Sequence, residues 1–217
     1  MPETVSTKKR RIAIPLGYTV IFFALIGLAA AVYMAAGLGA KLLDKSALYE
    51  EYTHFIEPLA NLDPMPFEDI TTADPDTIIE ACVMAAFEAK KAAEDEFEED
   101  EMGRTILPQT DVEQQCRRLF GTDFELEHRG FRGFEYSEDQ KCYHMPPSGY
   151  MRIFIPKVVR SEHREDVTTL YVDYYSNEWL VGNSENQQAA AKQMEYTLRG
   201  KKGKEVISAV KLGEVTE

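Results

Sequence analysis

Apolar positions follow three different patterns along this chain. From Ile12 to Ala40 there is no charged side chain at all. From Leu48 to Phe120 apolar residues recur at three- and four-residue steps, and beyond Gly121 they alternate with polar ones. The first pattern predicts a membrane helix, the second soluble helices and the third β-strands.

Three soluble helices follow from the middle pattern. Residues 46–59 place Leu48, Tyr52, Phe55, Ile56 and Leu59 on one stripe, with Ser46 ahead and the prolines of NLDPMP behind. Residues 74–93 give the clearest helix, with Asp74 as N-cap and Pro75 at the first helical position. Its stripe is Ile78, Ile79, Cys82, Val83, Ala86 and Phe87. Residues 110–120 place Val112, Cys116, Leu119 and Phe120 on one side, with Thr110 and Glu113 spaced as a capping box and Gly121 as the stop.

The alternating region predicts about six strands. Phe124, Leu126 and His128 suggest the first. Phe134–Tyr136 and Cys142–Met145 flank the polar turn SEDQ as a hairpin. Tyr150–Val159 follows, with Pro156 marking an edge or a bulge. EHRED at 162–166 reads as a turn into Val167–Tyr175, and 176–188 as a long loop. Met194, Tyr196 and Leu198 alternate cleanly, Gly200–Gly203 is a turn, and Glu205–Leu212 is the last strand. Strands joined by short turns pair antiparallel. The expected class is α+β, with two or three helices packed on a curved antiparallel sheet.

The charge-free run at 12–36 is long enough to cross a bilayer, which takes roughly 20 residues. Lys8, Lys9, Arg10 and Arg11 precede it, against Lys41 and Lys45 after it. That bias places the basic tail 1–11 in the cytosol and the rest outside it, at the cell membrane. A cleaved signal peptide ending near Ala40 is the alternative, although its apolar core is usually about 7–15 residues. Residues 37–73 read as a juxtamembrane linker with a short helix, and 74–217 as the extracytoplasmic domain.

Composition then narrows the partners. Beyond residue 40 there are 20 basic and 36 acidic residues, a net charge of −16 with His neutral. Nucleic acid is excluded as a partner, since phosphate contacts need Lys and Arg. The lipid bilayer, through 12–36, and a protein in the envelope remain. The acidic run Glu94–Glu101 has no EF-hand spacing and reads as a solvated charge run. Cys82 and Cys116 read as buried thiols or, if their helices face each other, as a disulfide.

The order of helices and strands resembles the NTF2-like and cystatin-like folds of extracytoplasmic domains in bacterial single-pass proteins. The strings that carry it are Leu107-Pro108, Thr110-Asp111-Val112, Leu119-Phe120-Gly121, Tyr143-His144-Met145-Pro146 and Met194-Glu195-Tyr196, over roughly residues 75–212. The resemblance implies a fold and assigns no catalytic residue.

No nucleotide loop, nucleophile elbow or zinc-protease motif is present. No metal or cofactor is implied by residue spacing. Cys142 and His144, two apart on a strand, share a face. Asp173 among Val172, Tyr174 and Tyr175 is a candidate acid, and Trp179 a candidate binding anchor. With His144 these are the candidate site residues. They fit a membrane-tethered interaction or ligand-binding module. The alternatives are an enzyme using Asp173 or His144 as acid/base, or a structural part of an envelope complex.

Overall fold

A computed structural model describes residues 45–146, 154–176 and 189–213. The basic tail, the span at 12–36 and Trp179 lie outside the described residues, within which no helix is long and apolar enough to cross a membrane.

Three helices precede most of the strands: α1 (Ser46–Ala60), α2 (Pro75–Ala92) and α3 (Gln109–Phe120). A short 3-10 turn, Ile70–Thr72, joins the first two. Four short strands, β1 (Glu98–Glu99), β2 (Thr105–Pro108), β3 (Glu135–Ser137) and β4 (Cys142–Met145), form one sheet in the order β1-β2-β4-β3. Four longer strands, β5 (Phe154–Arg164), β6 (Val167–Ser176), β7 (Lys192–Arg199) and β8 (Val206–Leu212), form a second sheet as a meander. All pairing is antiparallel.

The α+β class and the antiparallel pairing are as expected from sequence. The expected single sheet of about six strands is instead two sheets of four. The first sheet recruits β1 and β2, which come before α3 and have no alternating pattern long enough to show. The predicted strand at 124–128 is irregular backbone. Phe124 and Leu126 still turn onto the core, but no neighbouring strand supplies a ladder. The predicted turn at 162–166 narrows to Glu165-Asp166, because β5 stays paired through Arg164.

α2 forms for the reasons its sequence gives. The Asp74 carboxylate accepts from the Thr77 amide at 3.2 Å and Pro75 begins the helix. Its apolar stripe understates its burial: every residue from Thr77 to Ala86 is buried. Ala81, Cys82, Ala85 and Ala86 are small enough for neighbours to approach on all sides. Burying Ile78 and Ile79 contributes roughly 1.5–3 kcal/mol each. α3 begins differently from expectation. No side chain caps it, because β2 runs straight into the helix and the Gln109 amide bonds Lys141 O at 2.9 Å. Gly121 ends it at φ 96°, a conformation that favours glycine.

The long sheet sends Leu170, Val172, Tyr174, Met194, Tyr196, Leu198, Ile207 and Val210 into the core. Pro156 sits on the edge strand β5, where its missing N–H costs no ladder bond. A bulge between Val158 and Arg160 frees the Val158 amide, which donates to Thr53 Oγ1 of α1 at 3.1 Å. At the other edge, Phe67 exchanges two backbone bonds with Val210. α1 itself buries Ile56, Leu59 and Ala60, and the compact unit begins at Leu48. The short helix that the sequence places in a linker is therefore part of the core.

Candidate functional site

A groove of about 520 Å³ opens where α1, the end of α3 and the start of β8 meet. That volume lies in the range of small-molecule sites. Tyr52 and Phe55 come from the exposed flank of the α1 stripe, and Val206 from the first position of β8. Arg117 and Arg118 lie in the last turn of α3, where cations complement the helix dipole. Lys204 comes from the turn that Gly203 closes at φ 81°.

The groove therefore has an aromatic and aliphatic floor with a cationic rim. Arg118 lies 5.7 Å from the centre of the Phe55 ring. Arg117 pairs with Glu113 at 3.0 Å, and Glu51 and Glu205 complete the wall. Tyr52 donates to Glu205 Oε1 at 3.3 Å; burial and that carboxylate push its phenol pKa up. With Arg117 paired to Glu113, Arg118 and Lys204 stand against Glu51 and Glu205, so the mouth is near charge balance on a strongly acidic domain.

On the other side of Arg117 a smaller groove, about 340 Å³, is walled by Glu113, Cys116, Phe124, Leu126 and His128. The His128 ring is fixed at both nitrogens. Nδ1 lies 2.8 Å from the Tyr143 hydroxyl and Nε2 3.3 Å from Glu113 Oε1. Burial pushes the imidazole pKa down, and Glu113 works against that shift. Glu113 is held ionised chiefly by the Gln109 amide, which donates to it at 2.6 Å. In sequence Glu113 reads as part of a capping box; in the fold it serves Gln109, Arg117 and His128 instead.

His144 lies on β4, on the face of the short sheet opposite Tyr143. Its Nδ1 is 2.9 Å from Asp100 Oδ2 and its Nε2 is 3.6 Å from Cys142 Sγ. Asp100 is the last feature the acidic run would suggest. Rather than facing water, its carboxylate accepts from the amides of Met102 and Arg104, both at 2.9 Å, and from Arg104 Nε at 2.7 Å. Arg104 in turn bonds Glu135 of β3 at 2.6 Å. The Arg104 amide above all, then its guanidinium, the Met102 amide and His144, hold the Asp100 pKa at about 2.

Asp173 is on the outward face of β6, beside Gln193, which donates to it at 2.7 Å, and Tyr175, 3.4 Å away. The fold thus separates Asp173 and His144 onto different sheets. Neither lines the two grooves above. Cys82 and Cys116 are both buried thiols, unbridged, and burial drives the Cys82 pKa up. Among the described residues no three His, Cys, Asp or Glu side chains converge as cation ligands.

No family model, no curated protein and no solved structure matches this chain.

Proposed function

We propose that this protein is a membrane-tethered, extracytoplasmic ligand-binding module whose ligand carries an anionic group on an apolar body. The carrying observation is the groove of Tyr52, Phe55 and Val206 rimmed by Arg117, Arg118 and Lys204. An apolar floor supplies binding energy, and fixed cations select charge and orientation. On a domain this acidic, a mouth whose cations offset its carboxylates disfavours an anionic group less than the net charge would.

The tether is residues 12–36, with the tail 1–11 in the cytosol; its support is the charge-free run and the four basic residues before it. The helices followed by an antiparallel meander agree with an NTF2-like or cystatin-like kinship, and the separate short sheet is a departure from one continuous curved sheet. A protein partner in the envelope would use the same groove through an acidic chain end.

Calorimetric titration of the full chain in neutral detergent tests the reading. 4-Phenylbutyrate should bind and uncharged 4-phenylbutanol should bind about tenfold more weakly or not at all. Equal affinity for the two would remove the role of the cationic rim.

A further inference from the structure

We propose that Cys142, His144 and Asp100 form a nucleophilic thiol site that accepts acyl groups from activated esters, either thioesters or aryl esters. This goes beyond the binding groove and is independent of it, since none of the three lines that groove.

The geometry orders the three groups in a line. Asp100 is ionised and 2.9 Å from His144 Nδ1, so that nitrogen carries the proton of the neutral ring. Nε2 is then left as an acceptor, and it faces Cys142 Sγ at 3.6 Å. Nucleophile next to base, and base oriented by a third group, is the arrangement that activates a weak nucleophile. The carboxylate is itself held by the backbone amides of Met102 and Arg104 and by Arg104 Nε, which fixes the acceptor that orients the ring. Asp100 is a positioning residue; Cys142 and His144 meet the substrate.

Packing opposes a resting thiolate. Cys142 is 5% exposed and His144 8%, and burial pushes the Cys142 pKa up. The sulfur therefore rests as the thiol, and its proton moves to Nε2 only on attack. The Cys142 thiol has a second acceptor at the same 3.6 Å, the amide oxygen of the exposed turn residue Gln140, which competes with Nε2 for the thiol proton.

The step balances without a further reagent. Sγ attacks the acyl carbon while Nε2 takes the thiol proton. The C–O or C–S bond to the leaving group breaks, and His144 returns the proton to the departing phenolate or thiolate. The product is S-acyl-Cys142 with His144 neutral again.

Full-length protein in neutral detergent is treated with p-nitrophenyl acetate, and the acetylated residue and rate are read by peptide mass spectrometry and nitrophenolate release. Acetyl is expected on Cys142 ahead of Cys82 and Cys116, with Cys142→Ser abolishing that adduct. His144→Gln should slow it about a hundredfold, the usual scale of base catalysis. That variant should also make the rate climb with pH as the thiol alone ionises, whereas the parent rate levels off earlier. Asp100→Asn should keep the turn acceptor yet slow acetylation, and Gln140→Ala should speed it. Equal labelling of the three cysteines, or a His144→Gln rate and pH profile matching the parent in protein with unchanged thermal unfolding, would overturn the proposal.

Discussion

His144 Nδ1 lies 2.9 Å from Asp100 Oδ2, across 44 residues of sequence and between β4 and the end of the acidic run. The contact makes Asp100 a structural anchor as well as an orienting group. Its pKa, about 2, lies below the unfolded value of about 3.9. A depressed carboxylate stabilises the fold above the unfolded pKa, and that contribution is lost as pH falls through the folded one. Stability of the parent should therefore drop between about pH 4 and pH 2 more steeply than that of Asp100→Asn. Urea midpoints across that range check it, and parallel curves would show that Asp100 contributes no such linkage.

The hydroxyls of Tyr174 and Tyr196 meet at 2.5 Å in the core between β6 and β7, and both rings are fully buried. Tyr196→Phe leaves one buried hydroxyl without its partner, at a cost of about 1–3 kcal/mol. Replacing both by Phe should recover part of that loss, because no polar group is then stranded. Urea unfolding of the two single variants and the double variant measures the difference. Burial raises both phenol pKa values, so stability should fall as pH rises above about 10, where the unfolded tyrosines ionise first.

Gly200 sits at φ 127°, and a Cβ there would lie 2.6 Å from the Lys204 carbonyl oxygen. Both the conformation and the clash with backbone disfavour any side chain. Gly200→Ala should cost more than about 1 kcal/mol. Because the turn carries Lys204, the same variant should also weaken ligand capture at the groove. A stability change within error would show that the Gly200–Gly203 turn relaxes freely.

These positions also show what can be read from sequence and what cannot. Asp74-Pro75, the SEDQ turn and the Met194-Tyr196-Leu198 alternation are local signals, and α2, the β3–β4 hairpin and β7 form where they point. Division into two sheets is not local. β2 pairs with β4 across α3, and a strand of four residues carries no period to detect. Asp100 is hidden for the same reason: a carboxylate inside EDEFEEDE looks solvated until Arg104 and His144 are placed around it. The groove combines Tyr52, Arg118 and Lys204 from three segments that are each legible as a helix or turn, but their convergence on one mouth is not a local signal. His144 and Cys142 were legible as sharing a face, but their third partner was not.

The tether makes its own prediction. If residues 12–36 span the bilayer with the tail inside, alkaline carbonate should leave the chain in the membrane pellet. Protease added outside intact spheroplasts should degrade the 41–217 part. Release into the carbonate supernatant, or a mature N-terminus at Lys41, would replace the anchor by a cleaved leader.

The most direct test of the central claim is the affinity of 4-phenylbutyrate for the full chain before and after reversing the rim charges. Arg118 and Lys204 are each at the surface of the groove, so Arg118→Glu with Lys204→Glu should leave the fold intact. Calorimetry should show binding to the parent and at least about tenfold weaker binding to the double variant, with uncharged 4-phenylbutanol unaffected. Unchanged 4-phenylbutyrate affinity in the double variant would contradict an anion-selecting groove.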